Sequence, residues 1–363
     1  MQAAILEAFG TPLTVGTIPD PVIGTGEVIV DVEATRVLSY TNEVLSGARN
    51  YLLDLPVMPG VGAIGRVRAT GPDATRLSVG DWVYCDPTIR SRDDVLAPDI
   101  TLLGWSARGE GGLRLQRYYR DGSFAERMRL PTENVIPIGP IDAADAPAWC
   151  AMGTLLVPYG GWLAAGLQPG ETVLVSGATG QFGSAAVVVA LGMGAGCVVA
   201  PGRNQAVLAE LQRRFGPRVR TVRLQGDEDG DRARMQAAAP GPIDCVLDLL
   251  PPSADTIPVR AAAMTVRQNG RVVLMGGVGM LGGPGLDLPY PWLMRNNIRL
   301  IGQWMYPREA SVCMAALIRS GLIRLSEYEV TTFGLDAVEA AVTHAAAHGG
   351  PFRMTVLQPR PRG

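Results

Sequence analysis

The 363 residues are enough for two domains with buried cores, and 47% hydrophobic against 18% charged residues is a globular balance, not a disordered one. All 32 basic residues are arginines against 34 acidic ones; a net charge of −2 raises no field for nucleic acid, and the missing lysine excludes P-loop, Schiff-base and Tyr-Lys chemistry. The 2 histidines, His344 and His348, leave little for a Ser-His-Asp triad or a multi-histidine metal site.

The N-terminal part reads as β-rich. Residues 24–35 (GTGEVIVDVEAT) alternate apolar and polar after a glycine turn, the pattern of a half-buried strand, and strand-like runs follow at 63–69 and 81–85. Residues 86–120 are polar and rich in arginine and glycine, so an irregular excursion is expected there. Beyond residue 158 strands alternate with helices: strands at 172–176, 197–200, 219–224, 243–249 and 272–275, with 298–303 as a sixth. Helices are expected at 184–193 and, with clear amphipathic spacing, at 205–215. This alternation implies parallel βαβ units and a doubly wound sheet, hence an α/β protein. The chain closes with helices near 307–320 and 335–348 and a strand at 352–357.

Five cysteines (Cys85, Cys150, Cys197, Cys245, Cys313) are scattered, with no CxxC pair, and read as free thiols in a reducing compartment. The opening MQAAILEAFG has no charged n-region and no long apolar run, so neither a signal peptide nor a membrane partner is expected. The expected location is cytoplasmic.

The most specific local signal is TVLVSGATGQFGSAAVVVALGMGAGC, a strand, a tight turn, a small-residue helix and a second strand. Its turn, Ala178, Thr179, Gly180, Gln181, Phe182 and Gly183, is a GxGxxG fingerprint with alanine at the first glycine. Such a turn lets a pyrophosphate approach the backbone and meet the free N–H groups of a helix N-terminus. The second strand runs into Arg203 and Asn204, and no carboxylate follows until Glu210. A guanidinium suits a 2′-phosphate and an acid suits a 2′-hydroxyl, so NADP(H) is expected ahead of NAD(H); a solvated Arg203 is the alternative.

These residues resemble the medium-chain dehydrogenase/reductase family, which includes zinc alcohol dehydrogenases and quinone oxidoreductases. The resemblance runs through MQAAILEAFG, GTGEVIV, PGVGAIGRV, GDWV, DGSFAE, the GATGQFG turn, VLMGGV and the closing GPFRMTV. It implies a GroES-like β-rich catalytic domain from residues 1–155 and 300–363, a Rossmann domain over 156–299, and an active site in the cleft between them. It also implies a small-molecule substrate and, commonly, a homodimer.

The departures are informative. At the positions where zinc members carry their cysteine and their His-Glu pair, this chain has Leu38, Val61 and Gly62, and Cys150 alone matches a ligand. One thiolate cannot hold a catalytic zinc, which needs three protein ligands, so the resemblance is to a zinc-free member with no metal. Residues 86–120 also lack the four cysteines of the family's structural zinc.

Zinc-free relatives reduce quinones or activated C=C bonds, placing charge on an oxygen that hydrogen bonds can meet. A zinc-free alcohol dehydrogenase or carbonyl reductase, and a non-catalytic NADPH-binding protein, remain the alternatives. By resemblance, Thr154 lies under the nicotinamide, Gly276, Gly277 and Val278 meet its carboxamide, and Arg353 lies near the pyrophosphate. Leu249, Leu250 and Pro251 leave the fourth strand on the ligand side or serve as core, and Trp304, Met305 and Tyr306 wall the substrate cleft or pack. Counting from Leu38, the family's relay hydroxyl falls at Tyr40 and its relay histidine at Glu43, with Ser39 as the neighbouring alternative. Tyr40 is then a proton donor or a packing aromatic.

Overall fold

The computed structural model describes residues 1–94 and 96–360. Its contacts divide the chain into two units, residues 1–153 with 325–349 and 353 onward, and residues 154–324 with 350–352. The first boundary lies two residues before the expected one. The second lies at 325 and not at 300, because the strand at 299–302 hydrogen-bonds into the second unit's sheet and carries the next helix with it. Val95 and residues 361–363, which the expected domains include, lie outside the described residues.

In the first unit β1 (Gln2–Ile5) and β2 (Thr14–Thr17) pair antiparallel. The β-branched run EVIVDVEATRV forms β3 (Glu27–Val37), almost wholly buried because other strands flank it and packing covers its faces. A short helix, α1 (Thr41–Leu45), follows it, then β4 (Ala63–Thr70) and β5 (Trp82–Cys85).

The segment 86–120 is not irregular. It holds β6 (Thr88–Arg90), β7 (Ile100–Leu102) and β8 (Ser106–Ala107) in a small antiparallel sheet, and then α2 (Gly109–Tyr119). That helix buries Gly112, Leu113, Gln116 and Tyr119, one face of a 3.6-residue period. Its glycines and arginines dilute the apolar signal below what composition reveals. Arg92 ties this lobe down, donating to both Glu133 carboxylate oxygens at 2.8 and 2.7 Å and to Gly26 O at 2.7 Å. β9 (Arg127–Pro131), β10 (Val135–Pro137) and the short helix α3 (Ala146–Trp149) complete this stretch.

The helix α4 (Ala151–Ala165) opens the second unit. Strands β11 (Thr172–Ser176), β12 (Cys197–Gly202), β13 (Val219–Arg223), β14 (Ile243–Asp248), β15 (Val266–Leu274) and β16 (Arg299–Gly302) then form one parallel sheet in the order β13-β12-β11-β14-β15-β16. This is the dinucleotide-binding order, with its reversal at β11 and β14. Connecting helices are α5 (Gln181–Gly192), α6 (Gln205–Phe215), α7 (Glu228–Ala238), α8 (Thr256–Ala263) and α9 (Tyr290–Arg295), and α10 (Ala310–Arg319) follows β16. α5 is apolar on nearly every face and correspondingly buried, whereas α6 buries only Leu208 and Leu211.

The chain then returns to the first unit as β17 (Glu329–Gly334), α11 (Val338–His348) and β18 (Arg353–Gln358). β18 pairs antiparallel with β3 and parallel with β17, closing the order β10-β5-β4-β3-β18-β17, with β9 also on β3. Among the described residues no helix is long and apolar enough to cross a membrane.

Candidate functional site

The glycine turn lies between β11 and α5, at the carboxyl edge of the sheet. Gly177, which sequence reasoning left outside the fingerprint, carries φ +86°, a left-handed conformation that only glycine adopts without strain. Its signal was present as the glycine directly after the strand. Gly180 is the N-cap of α5 and its N–H donates to Gly177 O at 2.9 Å. A Cβ on Gly183 would stand 1.9 Å from Gly177 O, so the helix packs on its own turn only with glycine there. Ala178 is fully buried, and Gln181 Oε1 is buried in this region without a hydrogen-bond partner. Thr179 packs against Gly202 at the end of β12, and Phe182 is partly buried. A backbone cradle and a helix N-terminus, both presenting N–H donors, fit a dinucleotide pyrophosphate.

Past β12, Arg203 is exposed and so is Asn204, whose Oδ1 accepts from the N–H groups of Ala206 and Val207 and so caps α6. The first acid beyond, Glu210, is engaged by Arg214 at 2.7 Å.

Across the switch point, Leu249 N donates to Ser176 O at 3.0 Å and Gly277 N donates to Leu250 O at 2.8 Å. Gly276 and Gly277 sit so close to Leu250 and Pro252 that a Cβ on either would clash at 2.6–2.7 Å. The fold thus gathers the glycine turn, Leu249, Leu250, Pro251, Gly276, Gly277 and Val278 at the carboxyl ends of β11, β14 and β15. Beneath them Ser176 Oγ donates to Asp248 Oδ1 at 2.7 Å, and burial pushes the Asp248 carboxyl up to about 6. Thr154 is buried at the start of this unit, in α4.

Other expected residues have their own structural accounts. Arg353, on β18, is mostly exposed and pairs with Glu329 on β17 at 3.4 Å. After β16 the three residues diverge: Tyr306 is buried, Met305 has a left-handed backbone with its carbonyl against Gly160 of α4, and Trp304 stays 45% exposed. His344 donates to or accepts from Thr355 Oγ1 at 2.9 Å and its ring stacks on His348.

In the first unit, Tyr40 is held between the edge of Trp105, 5.8 Å away, and the Arg49 guanidinium, 4.3 Å from its ring centroid. Burial, then the neighbouring Tyr51, pushes its phenol up to about 12, with Arg36, Arg49 and Trp105 pulling the other way. Glu43 is half-exposed and pairs with Arg49 at 2.7 Å. Ser39 packs against Gly349.

Cys150 is 4% exposed, its thiol directed to Ala146 O at 3.7 Å, and burial pushes it up to about 12. Leu38 and Val61 are buried hydrophobic residues. No group of three or more His, Cys, Asp or Glu able to hold a metal occurs among the described residues, and a donor set of one cysteine falls short of the three protein ligands of a catalytic zinc. Arg36, which no sequence pattern marked, is buried nearby and its Nε donates to Val61 O at 3.5 Å.

Residues 24–140 match the family model of the alcohol dehydrogenase GroES-like domain. An alcohol dehydrogenase of Rhizobium meliloti is 33% identical over 202 residues, 53% of this chain and 55% of that protein, so the chain spans about half the length of this relative. Acryloyl-coenzyme A reductase of Metallosphaera sedula is 26% identical over 328 residues, 89% of this chain and 90% of that one. An alcohol dehydrogenase from Thermus sp. ATN1 has the same fold at TM-score 0.82 and 20% identity, covering 99% of this chain and 100% of its own. Fold and motifs together define a protein with a GroES-like unit and a Rossmann unit. The chain is similar in sequence and fold to members of the medium-chain dehydrogenase/reductase family.

Proposed function

We propose that this chain is an NADPH-dependent oxidoreductase that reduces an activated C=C bond or a quinone without a catalytic metal. The observation that carries the reading is the contrast between its two sites: a fully formed nucleotide turn, and a single cysteine where a zinc donor set would need three ligands. The bound nicotinamide supplies a hydride. With the nucleotide bound, the turn from Gly177 to Gly183 would hold the pyrophosphate, Arg203 would serve the 2′-phosphate, and the Leu249–Pro251 and Gly276–Val278 segments would serve the nicotinamide end.

On the first unit, Tyr40 stays protonated throughout the physiological range and so keeps a proton to donate when charge develops on the substrate. Glu43, occupied by Arg49, orients that arginine against the Tyr40 ring. The relative named for acryloyl-coenzyme A reduction supports conjugate reduction. The relative named for alcohol oxidation keeps a metal-free carbonyl reductase as the second reading.

Purified protein with NADPH and a panel of enones, quinones and aldehydes, followed at the nicotinamide absorbance, tests this. Oxidation with enones or quinones supports the proposal, oxidation with aldehydes alone favours the second reading, and NADPH binding without turnover defeats both.

A further inference from the structure

β12 and β13 end side by side. Their parallel register pairs Gly202 with Arg223, and Leu224 N donates to Gly202 O at 2.9 Å, so the pairing runs on past the last residues of both strands. Arg203 follows Gly202 directly, which sets two arginines around one glycine: one a step along the chain, the other a step across the sheet. Consecutive Cα atoms lie about 3.8 Å apart and adjacent strands about 4.8 Å, and an extended arginine arm outreaches both spacings. Register partners on neighbouring strands project to the same face of a pleated sheet. A Cβ on Gly202 would stand 2.3 Å from Thr179 Cγ2, so Arg223 leaves the sheet on the face where the nucleotide turn lies.

Both guanidinium side chains are exposed, and among the described residues neither has an ion-pair or hydrogen-bond partner. Carboxylates are not lacking in the segments that follow, but they are engaged. Glu210 is held by Arg214, Asp227 caps α7, and Glu228, Asp229 and Asp231 are each held by another arginine. Two like charges left at neighbouring strand ends repel each other, and a divalent anion set between them removes that repulsion and is attracted by both.

We propose that Arg223 is a second specificity-determining residue of the nucleotide site, closing with Arg203 a two-guanidinium clamp on the 2′-phosphate of NADP(H). The proposal rests on the nucleotide part of the reading above, and not on the reaction or the metal. A phosphate monoester carries close to two negative charges at neutral pH, its second ionisation falling near about 6. One guanidinium matches one of those charges through one pair of oxygens, and a second, from the neighbouring strand, matches the rest. Arg223 is a strand residue and Arg203 lies between the end of β12 and Asn204, the N-cap of α6, so the backbone that presents both is already ordered. NAD(H) has a neutral 2′-hydroxyl in place of the phosphate. It leaves both charges unmatched, and β12 ends without an acid to accept from that hydroxyl.

The test is of binding and needs no turnover. Wild type, Arg203→Ala, Arg223→Ala and Arg223→Lys are titrated calorimetrically with adenosine 2′,5′-bisphosphate and adenosine 5′-monophosphate, which differ only in the 2′-phosphate, and by fluorescence with NADPH and NADH. Thermal melts establish that each variant is folded, and Arg223→Gln stands in for Arg223→Ala if the alanine variant is not. The wild type is expected to prefer the bisphosphate and NADPH at least tenfold. Arg223→Ala should lose at least tenfold in affinity for both, with the monophosphate and NADH within about twofold of wild type, and Arg223→Lys should lose less. For NADP⁺, whose 2′-phosphate takes up a proton as pH falls from about 7.5 to about 5.5, affinity should drop further in the wild type than in Arg223→Ala. If Arg203→Ala abolishes the preference and Arg223→Ala keeps it, Arg203 acts alone: the NADPH reading stands and the clamp is overturned. If Arg223→Ala weakens phosphorylated and unphosphorylated ligands equally, Arg223 serves the adenosine or the fold, and the clamp is again overturned. A wild type that binds both members of each pair equally would remove the NADPH reading and the clamp with it.

Discussion

Ser176, the last residue of β11, donates its hydroxyl to Asp248, the last residue of β14, at 2.7 Å, so the two strand ends that flank the switch point are joined by a side-chain hydrogen bond beneath the nucleotide turn. Burial raises the Asp248 carboxyl to about 6. A carboxyl raised on folding holds its proton more tightly in the native state than in the unfolded one, so its contribution to stability is present below the unfolded value and is lost as pH rises to the folded value. Between about pH 4 and 6 the native protein should lose on the order of 3 kcal/mol from this group, and Asp248→Asn should lack that loss. Thermal melts of both proteins across this range give the difference; parallel curves would show that Asp248 does not titrate there.

Arg203 is the expected discriminator of the nucleotide. A guanidinium contact to a 2′-phosphate contributes roughly 1.5–3 kcal/mol, so Arg203→Ala should weaken NADPH at least tenfold and leave NADH nearly unchanged. Fluorescence titration with both nucleotides measures this. Equal weakening of both would remove Arg203 from the 2′-phosphate.

Cys150 is a single cysteine with its thiol directed at a backbone carbonyl. Cys150→Ser should therefore keep near-normal kcat, and wild-type activity should persist in strong chelator. Metal analysis finding about one zinc per chain, with activity lost on its removal, would refute the metal-free site.

Tyr40 is tested by removing one oxygen. Tyr40→Phe keeps the ring contacts to Trp105 and Arg49 and loses the hydroxyl's hydrogen bond with Trp105, so NADPH binding should hold while kcat falls about 10²-fold or more. A near-normal kcat would leave the residue as an aromatic clamp and the proton to water.

Much of this architecture is legible in the sequence because its physics is local. The amphipathic spacing over 205–215 predicts a helix there, which is where α6 lies. TVLVS and the glycines after it likewise place β11 and the turn. β17 escaped notice because EVTTFG is largely exposed and its parallel partner, β18, follows only after a helix. α2 escaped because glycine and arginine hide its buried face. Arg36 had no motif to announce it: in sequence it is one arginine in a strand, and its burial appears only when β3, β4 and the start of α4 close around it.

The central claim is that hydride goes to carbon conjugated with a carbonyl, without metal. The direct measurement is reduction of an enone by NADPH deuterated at the transferring position, catalysed by chelator-treated protein, with mass spectrometry and NMR of the product. The account predicts a saturated ketone carrying deuterium at the β-carbon. Deuterium at a carbinol carbon, or transfer only after zinc is restored, would contradict it.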